Sequence, residues 1–137
     1  NILADNVRKW GMGNVLVTNN APEHLAQFEG WFDLVAVDAP CSGEGMFRKD
    51  ADDVTEWSAS HVLSCASRQL AILNSAKNPL CDGGTLIYST CTYSYEENEG
   101  VINSFLQQNS DFSLEEINIE NEVIKKKITL YKPFDSM

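Results

Sequence analysis

The sequence predicts an α/β fold, a mainly parallel sheet flanked by helices, and two observations carry that reading. Segments with apolar residues at helical spacing alternate along the chain with short β-branched runs. One of those runs, Phe32–Val37 (FDLVAV), is apolar almost without interruption, as expected of a strand buried on both faces of a parallel sheet. The 137 residues, 43% hydrophobic and 22% charged, suit one globular domain spanning 1–137.

In chain order, Asn1–Trp10 reads as a helix whose rough apolar stripe is Ile2, Leu3, Val7 and Trp10, closed by Gly11-Met12-Gly13. Asn14–Thr18 (NVLVT) reads as a strand, broken by Asn19-Asn20-Ala21-Pro22, and Glu23–Phe28 as a short helix. After the strand Phe32–Val37, a glycine-containing loop runs from Cys41 to Asp50. Trp57 to Lys77 is a long helix with Val62, Leu63, Ala66, Leu70, Leu73 and Ala76 at helical spacing. Ser58 and Ser60 are its candidate N-caps. Pro79 and the turn Asp82-Gly83-Gly84 end that unit, and Thr85–Ser89 is the next strand. Glu96–Gln108 is a helix with Val101, Ile102, Phe105 and Leu106 inward, its acidic start complementing the dipole. Phe112–Ile119 and the tail from Val123 to Met137 read as further strands. No internal repeat or low-complexity linker interrupts the order.

Composition narrows the function. Ten Lys and Arg against twenty Asp and Glu leave a formal net charge of −10, unlike a free-standing nucleic-acid binder with a basic face. A catalytic domain whose basic docking surface lies elsewhere is compatible with it. Cys41, Cys65, Cys81 and Cys91 contain no C-x-x-C pair, so a zinc ribbon or thioredoxin-like motif is not expected, and neither is any bound metal. Free thiols are the default in a cytoplasmic chain. No apolar run approaches the ~18–20 residues of a membrane span. The start Asn1-Ile2-Leu3-Ala4-Asp5 lacks a basic, secretory-type n-region and an initiator Met, so the chain is expected to be a piece of a longer cytoplasmic protein.

In open α/β sheets, ligands bind beyond the carboxyl ends of strands. Two such ends stand out: Asp38-Ala39-Pro40-Cys41-Ser42-Gly43-Glu44-Gly45, and Ser89-Thr90-Cys91-Thr92-Tyr93. If their strands are neighbours, both cysteines occupy one rim. A thiol on a loop beyond a strand end is a better nucleophile candidate than one in mid-helix. Asp38, ending an apolar strand, is costly to bury without partners. Pro40 fixes the backbone beside Cys41, and Gly43 and Gly45 permit close approach to a flat ligand.

These residues carry a resemblance. The first stretch, followed by Arg48-Lys49-Asp50, resembles the fourth motif of the RNA cytosine-C5 methyltransferases of the Nop/Sun type. Tyr88-Ser89-Thr90-Cys91-Thr92, followed by Glu96-Glu97-Asn98-Glu99, resembles their sixth motif. The likeness spans Asn1 to about Ile119. It implies a partial Rossmann-like, S-adenosylmethionine-dependent methyltransferase fold, of which the chain is the C-terminal part, the glycine-rich cofactor loop and ribose-binding acid being absent. It also implies roles. Cys91 is the nucleophile that adds to cytosine C6, Cys41 assists breakdown of the adduct, and Asp38 lies beside cofactor and target base. Candidate cofactor contacts are Asp38, Asn19 and Pro40. Candidate substrate contacts are Pro40, Ser42, Gly43, Arg48, Lys49 and Thr90. The implied partner is RNA, ribosomal before transfer RNA.

Ordinary structural roles stand beside these. Cys65 and Cys81 read as packing residues, His24 and His61 as surface or capping residues, and Trp10 and Trp57 as packing. The Lys125-Lys126-Lys127 run reads as solvated. A cysteine hydrolase would need a His base near a thiol, and neither His lies near a motif. The rival in another class is a truncated, non-catalytic remnant or binding module of the same fold. Cut sheet edges would let such a piece self-associate.

Overall fold

A computed structural model describes residues 2–46 and 57–115, and the backbone of 129–133. Helix α1 (Ile2–Lys9) leads into an irregular stretch, then a single turn of helix, α2 (Pro22–Leu25). Strand β1 (Phe32–Asp38), helix α3 (Ala59–Ala76), strand β2 (Leu80–Ser89) and helix α4 (Glu99–Gln108) follow. Short strands β3 (Phe112–Glu115) and β4 (Thr129–Pro133) complete the order.

The sheet runs β1-β2-β4-β3. β1 and β2 are parallel, with Val37 opposite Tyr88 and Asp38 opposite Ser89. β4 runs antiparallel to both β2 and β3, so three of the four strands share one direction. The expected neighbours are thus adjacent and parallel, and the loops after β1 and β2 leave from the same end.

Helix α3 begins where Ser58 caps it, its Oγ accepting from the His61 amide at 3.1 Å. Of the predicted α3 stripe, Val62, Leu73 and Ala76 are buried, and Ala66 and Leu70 partly so. Leu63 is 58% exposed, because it lies about 100° round the helix from Val62. Gln69 takes the buried place instead, with no exposed surface. The core joins these helix faces to Leu80, Leu86 and Tyr88 of β2 and to Val101, Ile102 and Phe105 of α4. Phe105 and Phe112 meet edge to face, ring centroids 5.1 Å apart.

Several expectations are corrected. Asn14–Thr18 forms no strand; Val15 and Leu16 are exposed, and a β-branched run stays irregular when no neighbouring strand pairs with it. Of the α1 stripe only Val7 is buried, while Ile2 and Trp10 point to solvent. Asp82-Gly83-Gly84 does not end the unit before β2 but is absorbed within it. Phe32 pairs with Leu80 and Leu34 with Thr85, so the intervening residues bulge from the ladder. Helix α4 starts at Glu99 rather than Glu96, which leaves Glu96–Asn98 as turn. Residues 116–119, Lys125–Lys127 and most of the tail lie outside the described residues, although Thr129–Pro133 is a strand as the tail predicts.

The burial on both faces expected of Phe32–Val37 is not met: β1 is an edge strand among the described residues, none of its residues is fully buried, and Phe32 and Leu34 are exposed, because nothing described covers its outer side. No described helix is long and apolar enough to cross a membrane.

Candidate active site

The parallel register of β1 and β2 carries their loops to one rim, where the Cys41 and Cys91 sulfurs lie 2.7 Å apart, both thiols free. Backbone bonds lock the two loops together: Ala39 N donates to Ser89 O and Gly45 N to Cys91 O, each at 2.9 Å. Gly45 has no substitute here, since a Cβ on it would come within 2.0 Å of the Cys91 carbonyl oxygen. Gly43 adopts a φ of 82°, a backbone conformation that favours glycine.

Side chains add a second layer of ties. Glu44 Oε2 accepts from Thr92 Oγ1 at 3.1 Å and from the Tyr93 amide at 3.3 Å, while its Oε1 accepts from Trp57 Nε1 at 2.9 Å. Ser42 and Thr92, both buried, share a hydroxyl–hydroxyl bond of 3.3 Å. Asp38 is exposed at the end of β1 and accepts from Ser89 Oγ at 3.3 Å.

Below the rim lies a buried polar pair. Glu97 and Gln69 are both fully buried. Glu97 Oε2 accepts from Gln69 Nε2 at 2.7 Å and from the Ser42 amide at 3.0 Å. Gln69 Nε2 also donates to Pro40 O at 2.9 Å, and Tyr88 Oη donates to the Glu97 carbonyl at 2.7 Å. Gln69 Oε1 and Glu97 Oε1 have no hydrogen-bond partner among the described residues. Burial, with Glu97 and Cys41 nearby, pushes the Tyr88 hydroxyl well above its ordinary range.

The Cys91 thiol is pushed up to about 11. Partial withdrawal of its sulfur from water, in a residue that is otherwise exposed, is the largest cause, followed by the hydrogen bond with Cys41 and the neighbouring Cys41 and Asp38 groups. Cys91 in the free chain therefore holds its proton at neutral pH. Burial raises Cys65 as well; its sulfur faces His61 Nε2 at 3.6 Å, so that imidazole serves α3 and not the rim pair.

Residues 1–132 match the family described as 16S rRNA methyltransferase RsmB/F. The chain belongs to that family. Among RsmB/F relatives, ribosomal RNA small subunit methyltransferase F of Erwinia tasmaniensis is 42% identical over 111 residues, covering 80% of this chain and 23% of that protein. Its namesake from Vibrio cholerae is 44% identical over 104 residues, covering 73% of this chain and 21% of the relative. The chain thus spans less than a quarter of the length of these relatives. Among solved structures, NSun6 from Pyrococcus horikoshii, determined with SFG, superposes with a TM-score of 0.73 at 25% identity, over 98% of this chain and 38% of that one. A methyltransferase homologue from the same organism gives a TM-score of 0.67 at 25% identity, over 94% and 47%.

In this RsmB/F chain the rim collects Asp38, Pro40, Cys41, Ser42, Gly43, Thr90 and Cys91 from the candidate residues. Asn19 is not among them: it is exposed on the irregular stretch after α1, and among the described residues no rim hydrogen bond involves it. Arg48 and Lys49 lie outside the described residues. Glu44, Gln69, Glu97 and Asn98 are not among the candidates that the sequence offers, yet each holds a rim loop. One signal for Glu97 is present in its spacing. Glu97, Val101 and Phe105 recur at helical intervals, which puts the carboxyl on the buried stripe rather than on a solvated helix start.

Proposed function

We propose that this chain is the C-terminal, base-side part of a catalytic domain that methylates cytosine C5 in RNA, ribosomal RNA first, within a cytoplasmic protein. The observation that carries the reading is the pair of thiols in contact beyond the carboxyl ends of two adjacent parallel strands. Membership of the RsmB/F family and the names of its relatives support the choice of RNA.

Cytosine C5 is a poor nucleophile until a thiolate adds to C6. In this reading Cys91 forms the S–C6 bond, which makes C5 electron-rich. Because burial and Cys41 keep the Cys91 thiol protonated in the free chain, attack requires that its proton leave. Asp38 and Cys41 are the ionisable groups that already act on that thiol. Once C5 carries the methyl group, breakdown of the adduct passes the C5 proton to a base, the role assigned to Cys41, while the C5–H electrons re-form the C5–C6 double bond and expel the Cys91 sulfur as a thiolate. Ser42, Gly43, Thr90 and Pro40 shape the floor on which the base would lie, with Arg48 and Lys49 assigned to the RNA backbone.

S-adenosylmethionine supplies the methyl group in this reading, and a neighbour solved with SFG, an analogue of it, supports the choice. The described residues fit one wall of such a site, the exposed carboxylate of Asp38 beside Pro40 at the end of β1. Of the two glycines after β1, Gly45 is taken up against the Cys91 carbonyl.

The test uses the intact protein, substrate RNA and cofactor on a denaturing gel. Cys91→Ala is expected to abolish methylation and any covalent adduct. Cys41→Ala is expected to accumulate a protein–RNA species, because the second step of a two-step covalent mechanism is blocked. Trapping by Cys91→Ala alone would reverse the assignment, and trapping by neither would reject it.

A further inference from the structure

Two adjacent residues at the entrance to α4 reach opposite loops. Glu97 touches the Cys41 loop twice: directly, by accepting from the Ser42 amide, and through Gln69, whose amide nitrogen also binds the Pro40 carbonyl. Pro40 and Ser42 are the two residues that flank Cys41. Asn98 touches the Cys91 loop three times. Its Oδ1 accepts from Thr90 Oγ1 at 2.7 Å, and its Nδ2 donates to Thr92 O at 3.2 Å and to Ser94 O at 2.7 Å. Thr90 and Thr92 are the two residues that flank Cys91. A single dipeptide therefore brackets both cysteines from below.

We propose that Glu97 and Asn98 are positioning residues whose task is to hold the Cys41 and Cys91 sulfurs in contact, one loop each. Neither touches a sulfur, and neither caps α4 conventionally, Asn98 making no side-chain bond to the helix amides. Their side-chain bonds are spent on the loops. Glu97 is fully buried with one oxygen unpartnered among the described residues, a cost that a purely structural position would avoid with an apolar residue. Ser42 on one loop and Thr92 on the other also bond across the gap. Movement of either loop would open the space between the thiols. The importance of that spacing for catalysis rests on the function proposed above, but the spacing itself is read by thiol chemistry that needs no methyl transfer.

The test follows alkylation of each cysteine by iodoacetamide across pH, with sites resolved by peptide mass spectrometry. The wild-type Cys91 profile is expected to have its midpoint near 11. Glu97→Ala and Asn98→Ala separate the sulfurs and move that midpoint toward the ordinary thiol value. Cys91 alkylation at pH 8 then rises about tenfold for each pH unit by which the midpoint falls, while Cys81 at the far end of β2 is unchanged. Glu97→Gln, which keeps an acceptor for Ser42 and Gln69, retains the wild-type profile. Thr90→Val removes one Asn98 bond, together with the 3.4 Å bond that Thr90 Oγ1 accepts from the Thr92 amide, without changing side-chain shape, and it reports on the Cys91 loop should Glu97→Ala fail to fold. Phenylarsine oxide, which needs two adjacent thiols, is the second readout; its capture of the Cys41–Cys91 pair is expected to weaken at least about tenfold in the alanine variants. Alanine variants with native circular dichroism that keep both the wild-type profile and wild-type arsenical capture would overturn the proposal. Failure of the adduct-trapping experiment with these changes present would overturn the proposed function and leave the positioning intact.

Discussion

The two sides of β1 differ sharply in how much of their own structure they carry. Toward β2, the rim is knitted by backbone bonds, by the three-way grip of Glu44 and by the buried Glu97–Gln69 pair, so that Cys41 and Cys91 meet without help from elsewhere. The outer edge of β1 is unpaired among the described residues, and the stretch from α1 to Trp31 presents apolar side chains to solvent: Leu16 is 87% exposed, and Trp10 and Trp31 are each 71% exposed. One side is internally bonded, and the other leaves apolar side chains open to solvent. Large exposed apolar patches mark interaction surfaces, and an open edge strand is a template for pairing. The contrast supports the reading that base-side chemistry is contained in this chain and that cofactor binding is shared with structure beyond the β1 edge.

The largest way to break the comparison is on the internally bonded side. Phe105 is fully buried against Phe112 and the α3 face. Phe105→Ala is expected to cost about 3–5 kcal/mol in a urea titration, whereas Leu16→Ala on the exposed stretch should stay within ~0.5 kcal/mol. Equal effects would mean that the two sides are equally well packed. Next in size is Gly45→Ala. The new Cβ must displace the Cys91 carbonyl, for about 1–3 kcal/mol of strain, and arsenical capture of the thiol pair should fall with it.

The open side is tested by ligand and by self-association. Calorimetry of the isolated chain with S-adenosylmethionine is expected to show weak binding or none, and micromolar affinity would place the cofactor wall within these residues after all. Sedimentation of the isolated chain is expected to show association that Leu34→Lys on β1 reduces. An unchanged monomer for both would show that the edge is protected.

The smallest effect is in pH. The folded chain holds the Cys91 proton more tightly than a free thiol, with a value of about 11 against an ordinary 9.0. That contribution to stability is fully present below about pH 9 and is lost as pH rises through about 11. Thermal unfolding of wild type and Cys91→Ala should converge over that interval. Parallel curves would show that the Cys91 thiol is not raised by its setting, by withdrawal from water or by Cys41.

Several elements could be read from the residues alone, for local reasons. The α3 and α4 stripes follow from 3.6-residue spacing, β1 from its continuous apolar run, and the start of α3 from Ser58, each signal lying within a few residues of the element it specifies. The two cysteine motifs likewise pointed to one rim because strand ends and loop residues are local features. What the residues could not show were the partners. Asn14–Thr18 has strand-like side chains but stays irregular, because a strand exists only through bonds to a neighbour. Asp82–Gly84 has turn chemistry yet lies inside β2, because pairing on either side of it with β1 outweighs the local preference.

Sequence by itself thus determined the α/β order, the placement of Asp38 at a strand end and of Cys41 and Cys91 on the loops beyond, and the family motifs in which they stand. Only the tertiary structure decided that the two sulfurs touch, that Glu97 and Gln69 are buried as a pair beneath them, and that Asn98 spends its side chain on the Cys91 loop instead of capping α4. The physical reason is distance along the chain. Spacing patterns encode which face a residue occupies, but Cys41 meets Cys91, and Gln69 meets Glu97, only when β1 and β2 pair in one register and α3 packs against that rim.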